Sequence, residues 1–209
     1  MLNIVQSPES SIFQAIIDKD AFTAQHSIHV ACLFKNMVSM LGLGINAQQA
    51  YIAGLLHDVG KINAPEVIFG SKSPLSPEEY KLVKRHPADS FNLLKANNFS
   101  ENICEIALLH HEREDGSGYP YGCRYHEIPP EVKLFAIVDS FCAIVERRAY
   151  KDPVSVQKAV SILYESSGKY NCEMLNSYFN HLKPVYKITL TEMRREKTVL
   201  STFFAHLSE

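Results

Sequence analysis

Several side chains of metal-ligand type sit where a helix would ordinarily place leucine. His26 shares a face with Val30 and Leu33, and His57 and Asp58 end the run Tyr51-Ile52-Ala53-Gly54-Leu55-Leu56. His110 and His111 end Ile106-Ala107-Leu108-Leu109, and Asp139 follows Leu134-Phe135-Ala136-Ile137-Val138. A buried carboxylate is costly unless it is paired or bound to a metal. A lone histidine on an apolar face is ordinarily a core residue bonded to a backbone carbonyl. Recurrence of the pattern along the chain makes convergence into one cluster the simpler account. Imidazoles with carboxylates suit Fe, Mn, Zn or Ni, and thiolate spacing for a structural zinc is missing. An adjacent His-Asp pair lets one backbone segment offer a terminal nitrogen and a carboxylate able to bridge two cations, an arrangement suited to phosphoester hydrolysis.

The elements that must position these residues read as helices. Ser7-Pro8-Glu9 is a cap with a first-turn proline, followed by Ile12, Phe13, Ile16 and Ile17 on one stripe. From about Asp20, the set His26, Val30, Leu33, Phe34, Met37 and Leu41 repeats at helical steps until Gly42 and Gly44. Asn46 and Gln49 form a capping pair for a helix reaching His57, closed near Gly60. Ser76-Pro77-Glu78-Glu79 starts a helix to the mid-80s, with Pro87 bending or restarting it. Ser100 opens the helix to His110, and a Gly- and Pro-rich loop runs from Glu112 to Pro130. Another helix carries Val132, Phe135, Ala136, Asp139 and Ala143, and one more starts at Asp152-Pro153 and stops at Gly168. Tyr186-Lys187-Ile188-Thr189-Leu190 has strand character, with a last helix through Phe203. Elsewhere no alternating Val/Ile/Thr runs recur, so the fold class is all-α, and no repeat or linker divides residues 1–209.

The bulk numbers fit one unit. The chain has 209 residues, 46% hydrophobic and 21% charged, enough to bury a core without disulfides. A net charge of -2 excludes a generally basic binder of nucleic-acid polymers. Cysteines at 32, 104, 123, 142 and 172 are odd in number and lack C-x-x-C spacing, which fits a reducing cytoplasm. The start MLNIVQSPESS has neither a basic nor an apolar signal region. No apolar run approaches the ~20 residues a bilayer span needs, so no membrane partner is expected.

His57-Asp58-Val59-Gly60-Lys61, followed by His110-His111-Glu112-Arg113-Glu114-Asp115-Gly116-Ser117-Gly118-Tyr119-Pro120, resembles the HD-GYP family of the HD superfamily. The first string is shared with many HD hydrolases; the second is long and specific. The resemblance spans roughly residues 20–180 and includes Leu75–Glu79 before His86-Pro87, and Ile128-Pro129 before the Asp139 helix. It implies an HD-domain helical bundle with a GYP loop; the C-terminal residues lie outside the resemblance and would add short extra elements. It implies one cation held by His26, His57, Asp58 and Asp139, and a second held by Asp58, His86, His110 and His111. The cofactors would be two divalent transition-metal ions, Fe or Mn, and Asp58 and Lys61 the catalytic residues. Lys61, Tyr119, Arg148 and Lys151 would meet the substrate phosphates, the last two within Arg148-Ala149-Tyr150-Lys151, where alanine replaces the family's proline. Gly116 and Gly118 permit positive φ and close backbone approach.

Three departures carry weight. The family's third-metal glutamate, four residues before the first histidine, is Phe22 here, so a binuclear site is expected. The arginine three residues after that histidine is His29, and the second acid of the family's D-x-x-D pattern is Cys142, a weak hydrogen-bond partner. The implied activity is a phosphodiesterase opening cyclic di-GMP to the linear dinucleotide and on to GMP. Two alternatives stay open: a catalytically impaired module that binds or signals through protein partners, and a hydrolase of another cyclic dinucleotide or nucleotide.

Overall fold

A computed structural model describes residues 7–65, 76–146 and 154–207, with side chains described as far as Met193 except Ser167. The described residues form α1 (Pro8–Lys19), α2 (Ala21–Leu41), α3 (Ala47–Leu56), α4 (Pro77–Val83), α5 (His86–Ala96), α6 (Glu101–Leu109), α7 (Pro130–Val145), α8 (Val156–Glu165) and α9 (Cys172–Leu207). No strand occurs among them.

Local signals set most helix starts. Ser7 and Asn46 accept from the backbone N–H three residues on, and Asp20 accepts from the N–H groups of Phe22 and Thr23. Ser76 and Glu79 make a reciprocal capping box. Gly42 ends α2 with φ 66°, a conformation glycine adopts without a Cβ penalty. Asp152-Pro153 lies outside the described residues; the helix after it begins at Val156, with the Ser155 side chain accepting from the Lys158 N–H.

The axis of the bundle is α2, buried at every residue from His26 to Phe34. It packs against α1, α3, α7 and α9. Contact with α3 is close because Gly54 has no side chain: a Cβ there would sit 2.4 Å from Ala31 Cα. Phe34 and Phe135 meet edge to face at 4.9 Å between centroids, joining α2 to α7 under the ligand-type residues.

The strand expected near residues 186–190 is instead part of α9. Its alternation of Tyr186, Ile188 and Leu190 looks like period two, but the residues actually buried are Tyr178, Leu182, Val185, Thr189 and Met193. Those steps of three and four are helical, and they leave Ile188 51% and Leu190 38% exposed. Polar bonds fasten the same face to α2: Lys35 Nζ to Glu192 at 3.0 Å, and Asn36 Nδ2 to Glu192 at 2.9 Å and to Thr189 at 3.2 Å. Tertiary packing overrides local β propensity here. Among the described residues no helix is long and apolar enough to cross a membrane.

Candidate metal centre

Five elements bring the expected ligands together. His57 closes α3, Asp58 follows it, His86 opens α5, His110 closes α6, and His26 and Asp139 come from the middles of α2 and α7. His57, Asp58, His110, His26, His86 and Asp139 are all buried, and His111 is partly buried. Three overlapping groups have ligand atoms within 4.8 Å of one another: His26, His57 and Asp139; His57, Asp58 and His110; and His86, His110 and His111. His57 and His110 each belong to two groups, so the seven residues form one cluster.

Local backbone geometry aims the rings. The last carbonyls of a helix lack intrahelical partners, and the histidines placed there use them. His57 Nδ1 donates to Gly54 O at 2.8 Å, His86 Nδ1 to Val83 O at 2.6 Å, and His110 Nδ1 to Ala107 O at 2.8 Å. In a neutral ring, an Nδ1–H donor leaves the lone pair on Nε2. Those lone pairs point at one another and at carboxylate oxygens. His86 Nε2 lies 3.2 Å from His110 Nε2 and 3.1 Å from Asp58 Oδ1, and His57 Nε2 lies 3.3 Å from Asp58 Oδ2. Asp58 Oδ1 is buried and accepts no hydrogen bond. Lone pairs facing lone pairs in a dry interior repel unless a cation sits among them. The donor set therefore fits divalent transition-metal ions, with imidazole nitrogen and carboxylate oxygen as the ligating atoms.

Electrostatics agree with that reading. Burial, reinforced by neighbouring imidazoles, pushes His110 well below its ordinary value; burial pushes His111 down to about 3, and both rings are neutral at pH 7. Burial would raise Asp58, but Lys61 and His57 hold it well below the usual carboxylate range. Burial would likewise raise Asp139, but its bond to His26 keeps it low. His26 differs from the others. Burial opposes its charge, yet Glu146 and Asp139 lift it to about 9, because its Nδ1 lies 2.7 Å from Glu146 Oε2 and its Nε2 lies 2.9 Å from Asp139 Oδ1.

Beside the cluster stand two of the residues expected to meet substrate, Lys61 and Tyr119. Lys61 Nζ reaches Asp58 Oδ2 at 2.5 Å and remains partly exposed. The Tyr119 ring stacks at 4.7 Å on His111 and lies 6.5 Å from His86, and burial followed by the Asp58 charge keeps its phenol protonated. Tyr119 N–H donates to His111 O at 3.3 Å, tying the loop to the helix end. Gly118 allows that approach: a Cβ there would lie 2.4 Å from Arg113 N and 2.5 Å from Glu112 Cα. Only Gly116 of the pair has positive φ, 78°, so the two glycines serve different ends. Arg148 and Lys151 lie outside the described residues. Phe22 is 59% exposed on the first turn of α2.

Two buried or nearly buried acids had no assigned role in the sequence. Glu112 is 2% exposed and accepts from the N–H groups of Tyr121, Gly122 and Cys123 at 2.7, 3.2 and 2.9 Å, shaping the loop that carries Tyr119. Its place directly after two tandem histidines was the available signal. Glu146 grips His26 and His29, and its signal was weaker: a carboxylate one helical turn beyond Cys142.

The chain matches the model of a family described as HD domain over residues 11–174. It is 34% identical over 181 residues to the 3'3'-cGAMP-specific phosphodiesterase 1 of Vibrio cholerae, covering 85% of this chain and 42% of that one. It is 35% identical over 183 residues to a cyclic di-GMP phosphodiesterase of Thermotoga maritima, covering 86% and 49%. The chain thus spans less than half the length of these curated relatives. An HDGYP protein of Bdellovibrio bacteriovorus has the same fold, with a TM-score of 0.62 at 20% identity over 86% of this chain and 59% of that one. With His57-Asp58 and the His110–Pro120 string set around one cluster, the chain belongs to the HD-domain family, in its HD-GYP group.

Proposed function

We propose that this chain is a cytoplasmic, metal-dependent phosphodiesterase that hydrolyses cyclic di-GMP to linear pGpG and onward to GMP, with residues 1–209 acting as one unit. One observation carries the reading: inward-facing lone pairs of His57, His86 and His110 crowd around Asp58, with Lys61 and Tyr119 at the edge. His26, His57, Asp58 and Asp139 would hold one divalent ion, and Asp58, His86, His110 and His111 a second, Fe or Mn. Bound there, the ions acidify water and neutralise charge on a phosphoryl group.

The chain's own residues supply the rest. Asp58 is ionised and reaches both halves of the cluster, through His57 on one side and His86 on the other. Lys61 offers a partly exposed ammonium for a phosphate oxygen or the leaving group. Tyr119 keeps its hydroxyl proton and so donates to phosphate. Arg148 and Lys151 complete the anion clamp in this proposal. The cytoplasmic assignment is supported by five cysteines, none in a disulfide.

The test is to incubate the metal-replete, anaerobically purified chain with cyclic di-GMP, 3'3'-cGAMP and cyclic di-AMP, and to resolve products by chromatography. Linear pGpG from cyclic di-GMP is expected. Faster opening of 3'3'-cGAMP would change the substrate and keep the chemistry, an arm that the name of the Vibrio cholerae relative makes worth running. Bound metal without turnover of any of the three would sink the reading in favour of a binding or signalling module.

A further inference from the structure

Histidine ligands need a partner on the far nitrogen, and the bundle supplies one in two ways. His57, His86 and His110 sit next to helix ends, where carbonyls three residues back are free to accept from Nδ1. His26 lies inside α2, Ala21–Leu41, where the preceding carbonyls are spent on the helix's own bonds. Its Nδ1 turns to an acceptor from another element. The residue that arrives is Glu146, the C-cap of α7, with Oε2 at 2.7 Å.

The same carboxylate is held from its other side. His29, 3% exposed, places Nδ1 2.7 Å from Glu146 Oε1, so one carboxylate spans two imidazoles one turn apart on α2. His29 Nε2 is buried without a hydrogen-bond partner beside Tyr186. A carboxylate can only accept, so His29 Nδ1 is the donor of this bond and Glu146 the acceptor. Position 142, where the resemblance leads one to expect an acid, is a wholly buried cysteine. Glu146 is four residues on, and its N–H donates to Cys142 O at 3.1 Å, so it lies one turn further along the same face of α7. Position 29, where an arginine is expected, is the imidazole that grips it.

We propose that Glu146 is a positioning residue of the metal centre: it fixes His26 with Nδ1–H outward and Nε2 toward the cluster, and His29 buttresses it. The inference rests on the metal-binding part of the proposed function, and not on its substrate. A carboxylate on the outer nitrogen orients the ring and makes it the more basic ligand, and loss of such partners weakens metal affinity ~10-fold to ~100-fold.

The test uses the full chain and Mn2+ alone, titrated against a competing chelator, with no dinucleotide present. Glu146→Ala should weaken one Mn2+ binding step, that of the site holding His26, by ~10-fold to ~100-fold and leave the other nearly unchanged. Glu146→Gln, whose amide oxygen can still accept from one imidazole, should recover part of the loss and serves if the alanine variant does not fold. His29→Ala should give a smaller loss, and adding it to Glu146→Ala should add little, because both act through His26. Melting temperatures of the metal-free variants are read alongside. Lower stability with unchanged Mn2+ affinity in both Glu146 variants would make Glu146 a purely structural brace and overturn the proposal. A wild-type chain that binds no Mn2+ would overturn it together with the proposed function. A wild-type chain that binds Mn2+ but opens no dinucleotide would remove only the proposed reaction, leaving the role of Glu146 to stand on the titration.

Discussion

Replacing Glu112 by alanine removes a single carboxylate that holds three consecutive backbone N–H groups, those of Tyr121, Gly122 and Cys123. Hydrogen bonds to a charged group contribute ~1.5–3 kcal/mol each when nothing replaces them. Here water can partly replace them, because Tyr121 is 69% exposed and its two successors are half-buried. About 1 kcal/mol per bond, the neutral-bond figure, is the appropriate discount, which gives a loss of about 3 kcal/mol. For a chain of this size that lowers the melting temperature by ~6–12 °C.

Function should suffer in a way that stability does not predict. The three bonds fix the stretch immediately after Tyr119-Pro120, while the ligand atoms of His110 and His111 are set by α6 and its end. Glu112→Ala should therefore keep its metal content and lose kcat/KM on the dinucleotide by ~10-fold or more, the scale for one misplaced phosphate donor. Elemental analysis, thermal melts and steady-state rates on one preparation decide it. Unchanged melting temperature would show that the bonds carry no net stability. Loss of metal together with activity would show that the loop and the cluster are one unit, and the separation argued here would be wrong.

Three further predictions concern the cluster and the helix beneath it. Gly60→Ala would place a Cβ 2.3 Å from His86 O and 2.5 Å from Ser90 N, so the turn bearing Asp58 must move off α5; stability should fall by ~1–3 kcal/mol with metal per chain, and normal metal content would refute the geometry. In metal-free protein, the raised His26 contributes stability that is full below its ordinary 6.5 and lost as pH climbs to about 9, while the lowered His111 costs stability as pH drops from 6.5 toward about 3. The metal-free melting temperature should thus peak near neutrality, metal should flatten the alkaline side, and a monotonic rise to pH 9 would contradict the His26 assignment. Cys142→Asp should lower stability without raising kcat, because it puts a carboxylate at a wholly buried site near the Tyr178 and Tyr186 rings; a faster enzyme would mean that the acid belongs at 142 after all.

What could be read from the sequence follows from how local each signal is. Caps at Ser7, Asn46 and Ser76 depend on neighbours within three residues, and they stand where expected. The seven candidate ligands stand out in the sequence because each breaks the apolar pattern of its own helix or repeats a family string, and the fold brings them into one cluster. The run 186–190 was misread because two surface positions, Ile188 and Leu190, imitate a strand, and only contact with α2 shows that Val185, Thr189 and Met193 set the period. Glu146 is only faintly marked in the sequence, for a related reason. A glutamate at the end of a helix is ordinarily a solvated charge, and its two partners lie 120 and 117 residues away.

That difference bears on what holds the centre together. His57, His86 and His110 carry their orienting acceptors with them, within three residues on the same backbone, so those rings are aimed as soon as their helices form. His26 and Asp139 face each other at 2.9 Å only when α2 and α7 have packed, and Glu146 from the end of α7 completes the arrangement. The cluster thus has a locally aimed half around His86, His110 and Asp58, and a half around His26 and Asp139 that depends on tertiary packing. Substitutions that loosen the α2–α7 contact, such as Phe34→Leu opposite Phe135, should weaken one proposed metal site more than the other. Stepwise loss of metal with increasing chelator, one step sensitive to Phe34 and the other not, would be the sign of that division. Equal loss of both ions would mean that Asp58, the ligand the two proposed sites share, couples the halves too tightly to separate.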